Sequence, residues 1–331
     1  MRLPRFEYVS PDTLEQVLDL LARHGSDAGI LAGGTDLLVR MKKGLLAPKI
    51  LISLKKLGAL SYIREAEGSV CIGAATPLAD MIGSDLVNRR AAALATACDR
   101  VGAVSIQHFR GTIGGNILQN NRCHHYNQSA FHRSGRQACH KDGGKICYAR
   151  DEADRCYSTC QSDGATALMA LDADLTLVSN GGERTVKLAD FYTSDGITPF
   201  AMEPHELLKE VTVPGIFTAS AYERLAFRSA VDYPVVCAAA AMTVSNGTID
   251  TARISVGAMG RSPLYLAQAS SSLSGKALTD TDAFKAAAVQ AKGSSEAFAV
   301  HNAGATLEYR INMVEPMVFR ALSAAAEKAL G

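Results

Sequence analysis

The stretch Ile30–Leu38, which reads ILAGGTDLL, decides the architecture of the first part of the chain. A short apolar strand runs into Gly33 and Gly34, then into a Thr-Asp pair and a helical start. Glycines let the backbone approach an anion closely, and the free N–H groups of the following helix N-terminus face it. Two interpretations stay open for this motif by itself: a phosphate cradle, or a tight turn in which Thr35 or Asp36 caps a helix. It is not G-x-G-x-x-G, so a dinucleotide-binding Rossmann unit is not indicated.

A second glycine-rich stretch lies about 80 residues further on, where Phe109–Asn116 reads FRGTIGGN. It combines glycines with the hydroxyl of Thr112 and the amide of Asn116, and both groups form hydrogen bonds with anions. Two such loops that converge in the fold are harder to explain as simple turns than either one alone. Together they predict an elongated, phosphate-bearing cofactor.

The surroundings of these loops indicate a mixed α+β scaffold. Residues 10–24 place Val17, Leu18 and Leu21 at helical spacing behind cap candidates at 10–12, which predicts an amphipathic helix. Further segments with strand-like pattern lie at 49–52, 62–63, 70–72, 174–179, 184–188 and 207–213, and helical segments at 89–98 and 163–171.

The C-terminal third is predicted as a separate unit. Pro214-Gly215 ends the last strand of the preceding region and places a domain boundary near 217. Strands are predicted at 221–228, 237–245 and 252–258, a Ser/Gly-rich loop at 269–275, and helices at about 279–292 and 305–326. This order predicts a small sheet backed by helices.

A cysteine-rich segment lies between the second glycine loop and the helix at 163. Cys123, Cys139, Cys147 and Cys156 are spaced C-x15-C-x7-C-x8-C, and Cys160 follows them. The segment contains one Phe and one Ile but no Leu, Val or Met. Burial of so few apolar groups cannot offset the entropy of ordering a loop of this length. The segment therefore predicts an inorganic occupant whose thiolate bonds supply the missing energy.

Three occupants are compatible with five cysteines. Disulfides need an oxidising compartment, which nothing at the N-terminus indicates. Zinc prefers cysteines in short-spaced pairs, and the segment has one such pair, Cys156-x3-Cys160. An iron–sulfur cluster also uses four thiolates, and ligands contributed one at a time from a wrapping loop suit a bulky cluster. The spacing favours the cluster and leaves zinc open.

Charge is concentrated in the same segment. Residues 122–160 hold seven Arg or Lys against four Asp or Glu, so the segment is net +3 in a chain that is +1 overall. Two interpretations are open: the charge balances a thiolate-ligated cluster, or it forms a docking patch for an acidic redox protein.

Length and composition limit the number of domains and the classes of protein to which the chain can belong. A chain of 331 residues that is 47% hydrophobic can bury a large core, and its length predicts two or three domains. The net charge of +1 argues against general nucleic-acid binding. The N-terminus MRLPRFEYVS has no apolar leader region, and no apolar run approaches about 18 residues. We therefore expect no membrane span, and eight cysteines then predict a reducing, cytoplasmic location.

Three motifs resemble the FAD-binding subunits of the molybdenum hydroxylase (xanthine dehydrogenase) family. They are Ile30–Leu37, Thr112–Asn116 and the strand entry Asp172-Ala173. The resemblance covers essentially the whole chain. It implies an FAD-binding domain of two α/β subdomains (PCMH-type) at 1–217, divided into 1–55 and 56–217 with an iron–sulfur loop inserted at 122–160, and a small C-terminal α/β domain at 218–331.

The cysteine loop narrows the resemblance. Most such subunits lack a metal site, but a four-cysteine loop after the second glycine motif looks like the beta subunit of 4-hydroxybenzoyl-CoA reductases, whose loop carries a [4Fe-4S] cluster. The resemblance implies Cys123, Cys139, Cys147 and Cys156 as cluster ligands, with Cys160 extra.

The FAD contacts carried over by motif are Ile30, Leu31, Ala32, Gly33, Gly34, Thr35, Asp36, Leu37, Thr112, Gly115, Asn116, Gln119, Asp163 and Arg224. Arg224 departs from the pattern, because it stands where the family usually has Lys and presents a planar fork instead of a point charge.

The implied function is electron relay, with no catalytic acid, base or nucleophile in this chain. By resemblance, the molybdenum cofactor belongs to a large partner subunit and [2Fe-2S] clusters to a small one, assembled as a dimer of heterotrimers. A ferredoxin-like donor would supply electrons for removal of a phenolic hydroxyl. Two alternatives stay open: a flavin subunit of another molybdenum hydroxylase with a different substrate, and a flavoprotein with a structural zinc loop.

Overall fold

Three sheets with flanking helices organise residues 2–301 and 304–331, the part of the chain that the computed structural model describes. The elements of the first sheet are β1 Glu7–Val9, α1 Leu14–His24, β2 Ala28–Leu31, α2 Leu37–Lys42 and β3 Ile50–Ser53. The sheet is parallel, with β1 and β2 on either side of β3. Helix α1 connects β1 to β2, and helix α2 connects β2 to β3.

The predicted amphipathic helix is confirmed as α1. Val17, Leu18 and Leu21 are buried, and the Thr13 hydroxyl accepts a hydrogen bond from the N–H of Gln16. The cap is therefore Thr13, one residue beyond the candidates at 10–12. Ligands of parallel α/β sheets bind beyond the carboxyl ends of the strands, and the first glycine loop follows the end of β2.

The second sheet is antiparallel, in the order β4-β5-β8-β6-β7. Its strands are β4 Ile63–Ala66, β5 Ser69–Gly73, β6 Asp174–Ser179, β7 Gly182–Lys187 and β8 Leu207–Val213. The long connection from β5 to β6 carries helices α3 Leu78–Gly83, α4 Asp85–Arg90, α5 Ala92–Asp99, α6 Ile113–Ile117, α7 Ala130–Ser134 and α8 Asp163–Ala170, and α9 Leu188–Phe191 follows β7. The second glycine loop and the cysteine loop both lie in that connection.

The third sheet is antiparallel, in the order β12-β11-β10-β9. Its elements are β9 Ala219–Leu225, β10 Val236–Ser245, β11 Thr248–Gly257, β12 Leu264–Tyr265, α10 Ala267–Ser271, α11 Thr281–Ser295 and α12 Leu307–Leu330. Strand β10 is buried on both faces, because Cys237, Ala239 and Ala241 join the core of the second sheet while Ala238 and Ala240 join the core formed with α11 and α12. The sheet-plus-helices prediction is confirmed.

Two local predictions are wrong. The helix predicted over 89–98 is two helices, α4 and α5, separated by Ala91 at φ −144°. The predicted loop 269–275 begins as helix α10, because the buried Ser270 hydroxyl accepts a hydrogen bond from the N–H of Ile254 and donates one to the carbonyl of Leu266. Burial against β11 overrides the Ser-rich composition there.

Candidate cofactor sites

The two glycine loops meet backbone to backbone. A Cβ placed on Gly33 would lie 1.6 Å from the carbonyl oxygen of Arg110, and one on Gly114 would lie 2.7 Å from the carbonyl oxygen of Ala74. Gly34 has φ +74°, in the left-handed region that favours glycine. The predicted convergence of the loops is confirmed, and close packing of the protein on itself requires several of these glycines.

Two cavities lie on either side of the joined loops. The inner cavity, about 340 Å³, is bordered by β2, α2 and the end of β5. The outer cavity, about 290 Å³, extends toward the start of the cysteine loop and the β9–β10 loop. Both are lined by Thr35, Asp36, Thr112 and Gly115. Their shared lining places the two cavities next to each other at the glycine loops, as an extended phosphate-bearing cofactor requires.

Twelve of the fourteen predicted FAD contacts line these cavities. The inner cavity alone is lined by Ile30, Ala32, Gly33, Gly34 and Leu37. The outer cavity alone is lined by Asn116, Gln119 and Asp163. Both cavities are lined by Thr35, Asp36, Thr112 and Gly115. Leu31 and Arg224 are not among the lining residues.

Asp36 does not cap helix α2 with its side chain. Its carboxylate instead lies 2.6 Å from Nη1 of Arg122 and accepts a hydrogen bond from the N–H of Asn120. The residue that leads into the cysteine loop is thus paired directly with the first glycine loop. The side chain of Asp36 is therefore not the helix cap that the tight-turn interpretation of the motif requires.

Arg224 acts on the cavity through Asp163. Its guanidinium lies 3.5 Å from the Asp163 carboxylate and donates hydrogen bonds to the carbonyls of Arg100 and Asp232. The Tyr222 hydroxyl donates to the same carboxylate at 2.6 Å. Burial raises the pKa of Asp163, while Arg224 and Tyr222 favour its ionised form. Arg224 therefore holds a cavity-lining residue in place instead of lining the cavity itself.

Several lining residues were not predicted from the sequence. Gln107 comes from a π-helical turn at Val104–His108, and Arg228, Asp232 and Tyr233 come from the loop between β9 and β10. In that loop Val231 has φ +55°, which a β-branched residue rarely adopts. The sequence carries no glycine or repeated pattern that would mark either segment.

Four of the five loop cysteines surround one small cavity. Cys123, Cys139, Cys147 and Cys156 line it together, whereas Cys160 is buried in the main core. All eight cysteines are free, so no disulfide forms. The structure brings together the four predicted ligands and separates the fifth from them.

Hydrogen bonds hold this cavity in shape. The N–H of Cys123 donates to the Ser158 hydroxyl, which donates to the carbonyl of Asn121. The N–H of Gly144 donates to the carbonyl of Cys139, and a Cβ on Gly196 would lie 2.6 Å from Sγ of Cys156. The cysteine loop is ordered by polar contacts and close approaches, as its lack of apolar residues requires.

Backbone N–H groups and a nearby ammonium act on the pKa of two of these thiols. Burial raises the pKa of the Cys123 thiol, and the N–H groups of Tyr126 and His125 act in the opposite direction. Burial raises the pKa of Cys156 to about 11, and the Lys141 ammonium together with the Ser158 N–H opposes that effect. The N–H groups and the Lys141 charge thus offset part of the effect of burial, which still raises the pKa of both thiols.

The four cysteines share a cavity without forming a preformed metal site. Within residues 2–301 and 304–331, no group of three or more His, Cys, Asp or Glu side chains is arranged to hold a metal ion. The cavity measures about 10 Å³, which is about the space of one water. Zinc and an iron–sulfur cluster therefore both stay open as occupants.

The positive charge of the segment points mostly inward. Arg122 and Arg133 have side chains only 8% and 9% exposed, and they pair with Asp36 and Asp142. Nζ of Lys141 donates to the carbonyl of Asn121. The exposed charges of the described loop are two basic and three acidic, namely Lys145, Arg155, Asp151, Glu152 and Asp154. This distribution favours the interpretation that the basic residues balance the thiolates.

Both parts of the chain match known families. Residues 4–216 match the FAD binding domain in molybdopterin dehydrogenase, and residues 220–325 match the CO dehydrogenase flavoprotein C-terminal domain. The chain belongs to the FAD-binding subunits of the molybdenum hydroxylase family. FAD is therefore the cofactor of this chain.

Relatives of this FAD-binding subunit place it near the carbon monoxide dehydrogenase medium chains. It is 31% identical to the medium chain from Hydrogenophaga pseudoflava over 97% of both chains. It is 30% identical to the nicotinate dehydrogenase FAD-subunit from Eubacterium barkeri over 83% of this chain and 81% of the relative. The solved carbon monoxide dehydrogenase from Hydrogenophaga pseudoflava superimposes with a TM-score of 0.80, at 29% identity over 99% of each chain.

The fold prediction is confirmed by these matches: an α+β chain with a PCMH-type FAD-binding domain and a C-terminal flavoprotein domain. Among the described residues, no helix combines the length and the apolar composition that crossing a bilayer needs.

Proposed function

We propose that this FAD-binding subunit carries a [4Fe-4S] cluster and relays electrons in a 4-hydroxybenzoyl-CoA reductase-type enzyme. The observation that carries the proposal is the set of four thiols around one cavity, in a loop that leaves the second glycine motif. Support comes from the separation of Cys160 from that set and from the inward-facing basic residues. The domain limits of 1–217 and 218–331 are part of the proposal.

The residues are assigned to two groups. Cys123, Cys139, Cys147 and Cys156 would hold the cluster. The twelve cavity-lining residues named above would contact FAD, with Leu31 supporting the strand and Arg224 orienting Asp163. When bound, FAD exchanges electrons in pairs or singly and the cluster exchanges them singly, so the two can link one-electron donors to two-electron chemistry.

The chain itself binds and positions the cofactors and performs no acid–base or nucleophilic step. The ion pair between Arg122 and Asp36 ties the start of the cysteine loop to the flavin site. Cys123 follows Arg122 directly, so one residue separates this ion pair from the first proposed cluster ligand. We expect this contact to fix the relative position of the two cofactors.

The proposed partners are a large molybdenum-cofactor subunit and a small [2Fe-2S] subunit in a dimer of heterotrimers, with a ferredoxin-like donor. The name "medium chain" of the carbon monoxide dehydrogenase relatives supports further chains in the complex. A different substrate is the second candidate, because the relatives' names include carbon monoxide and nicotinate dehydrogenases.

The substrate assignment is tested with the complex purified through a tag on this chain. We expect reduced complex to convert 4-hydroxybenzoyl-CoA to benzoyl-CoA and water, consuming two electrons and two protons per product. Product is measured by chromatography and electrons by flavin reoxidation. Reoxidation by nicotinate-type or aldehyde substrates alone would favour the second candidate instead.

The donor assignment is tested by stopped-flow reduction of the same complex with reduced ferredoxin. We expect only a small dependence of the second-order rate on salt, because the exposed charges of the cysteine loop nearly cancel, two basic against three acidic, and leave little attraction for salt to screen. The double variant Lys145→Gln/Arg155→Gln should then change the rate no more than Lys285→Gln on α11, the exposed-lysine control. A rate that falls severalfold with salt and again in the double variant would instead show electrostatic docking at this loop.

A further inference from the structure

A third cavity, about 180 Å³, lies between the outer flavin cavity and the cysteine loop. It shares Arg122, Gln161 and Tyr233 with the outer cavity and reaches Arg310 of helix α12. We name it the bridging cavity. A molecule bound in this cavity would lie beside residues of the outer flavin cavity and beside residues of the cysteine loop.

Arg310 is the unusual residue of this cavity. Its side chain is only 1% exposed, one Nη atom donates to the carbonyl of Ala258, and Nε has no hydrogen-bond partner. No carboxylate in the described chain pairs with it, and Cys237 is its one electrostatic neighbour of note. Burial lowers the pKa of Arg310 to about 10, so it stays cationic at neutral pH. A buried charge without a counterion is costly.

The other charged residues of the bridging cavity are already compensated. Arg122 pairs with Asp36 at 2.6 Å. Asp232 accepts hydrogen bonds from the N–H groups of Arg228 and Tyr233, and lies 3.7 Å from the Arg228 guanidinium. His124 also borders the cavity. Pairing these groups leaves the positive charge of Arg310 without a balancing charge.

Unpaired amide groups line the same space. Asn121 is 4% exposed, and apart from the neighbouring Cys160 thiol neither its amide nitrogen nor its amide oxygen has a hydrogen-bond partner. The Oε1 atom of Gln161 is also buried and without a partner. Arg310 and Asn121 both line the cavity, and a guanidinium and an amide N–H group are donors that a carboxylate or phosphate accepts from.

We propose that the bridging cavity is a small-anion site in which Arg310 binds a carboxylate- or phosphate-sized ligand beside the flavin. The anion neutralises Arg310 and accepts from the amide of Asn121. Because a negative charge disfavours electron addition to a nearby group, occupancy lowers the flavin reduction potential. Small anions thereby set how readily electrons enter the flavin.

The test uses the purified protein with bound FAD, titrated with sodium acetate or inorganic phosphate at constant ionic strength, balanced with a bulky sulfonate buffer salt. We expect a saturable flavin difference spectrum and a fall in the flavin midpoint potential. Arg310→Met, which keeps length and removes charge, should weaken the apparent affinity at least tenfold. Arg253→Met is the matched control, because Arg253 also has a buried unpaired Nε but pairs with Asp172 and does not line the cavity.

FAD content is measured in each variant, which separates loss of the anion site from loss of flavin. A titration that fails to saturate, or one that is unchanged in Arg310→Met with full FAD content, overturns the proposal. An equal loss in Arg253→Met would also overturn it, because the effect would then be one of general stability. Absence of any anion effect in the wild type would overturn the proposal as well, because the bridging cavity would then be filled by water or by FAD itself.

Discussion

Cys147→Ser is expected to abolish iron binding by this chain. Wild-type protein purified without oxygen should contain about four iron and four sulfide per chain, since each iron of a [4Fe-4S] cluster takes one thiolate. Cys147 lines the cavity with the other three proposed ligands, so its loss leaves one corner of the cluster without its thiolate. Iron and sulfide analysis and the visible absorption spectrum measure the result, and Cys139→Ser should behave in the same way.

Cys160→Ser is the matched control for that experiment. Cys160 follows the same loop but is 3% exposed in the main core, where its N–H donates to the carbonyl of Gly260. We expect the variant to keep its iron and sulfide and to lose only some thermal stability. Loss of the cluster in Cys160→Ser with retention in Cys156→Ser would show that the fourth ligand is wrong. One metal per chain without sulfide would favour the zinc alternative.

The parts of the fold that could be predicted are those where local pattern and tertiary burial agree. Helix α1 has an apolar stripe at helical spacing, and that stripe is what the first sheet covers. Strand β10 is alanine-rich, and alanine has the highest helix propensity. Its flanking Val and Thr residues still indicate a strand, since β-branched side chains favour strands, and the alanines supply the small side chains that two buried faces need.

The local errors arise where burial contradicts composition. Residues 269–275 have the Ser/Gly content of a loop, but Ala269 and Ser270 are drawn into the core against β11 and form a helical turn. The run at 89–98 is rich in alanine, but Ala91 leaves the helical conformation and the N–H of Ala93 donates to the Ser220 hydroxyl of β9, a partner distant in sequence. A one-dimensional pattern contains no information on either packing surface.

The residues of the candidate site likewise fall into those that the sequence could predict and those that it could not. The glycine loops and the cysteines were predictable because their residue types are rare elsewhere and their chemistry is specific. Tyr233 and Gln107 were not, since each reaches the outer cavity only through loop geometry. The sequence shows the net charge of the cysteine-rich segment but not the direction in which its basic side chains point. Arg133, for example, pairs with Asp142 in the interior only because the loop is folded.

Gly115→Val is expected to remove FAD while the protein stays folded. Gly115 lines both flavin cavities, and a Cβ there meets only the Thr112 hydroxyl oxygen, at 3.1 Å. The two methyl groups of valine would therefore project into the space where the cavities join. We expect bound flavin, measured by absorption of the purified protein and by release of FAD on denaturation, to fall at least tenfold.

The choice of glycine decides whether that experiment is informative. Gly33→Val would place a Cβ 1.6 Å from the Arg110 carbonyl, so loss of flavin there would follow from a clash within the protein and would not report on cofactor approach. Gly58→Val is the better control, because Gly58 has open space around it, has no positive φ and lines neither cavity. Full flavin occupancy in folded Gly115→Val would mean that this glycine serves only the start of helix α6, and that the cofactor passes the loops at another point.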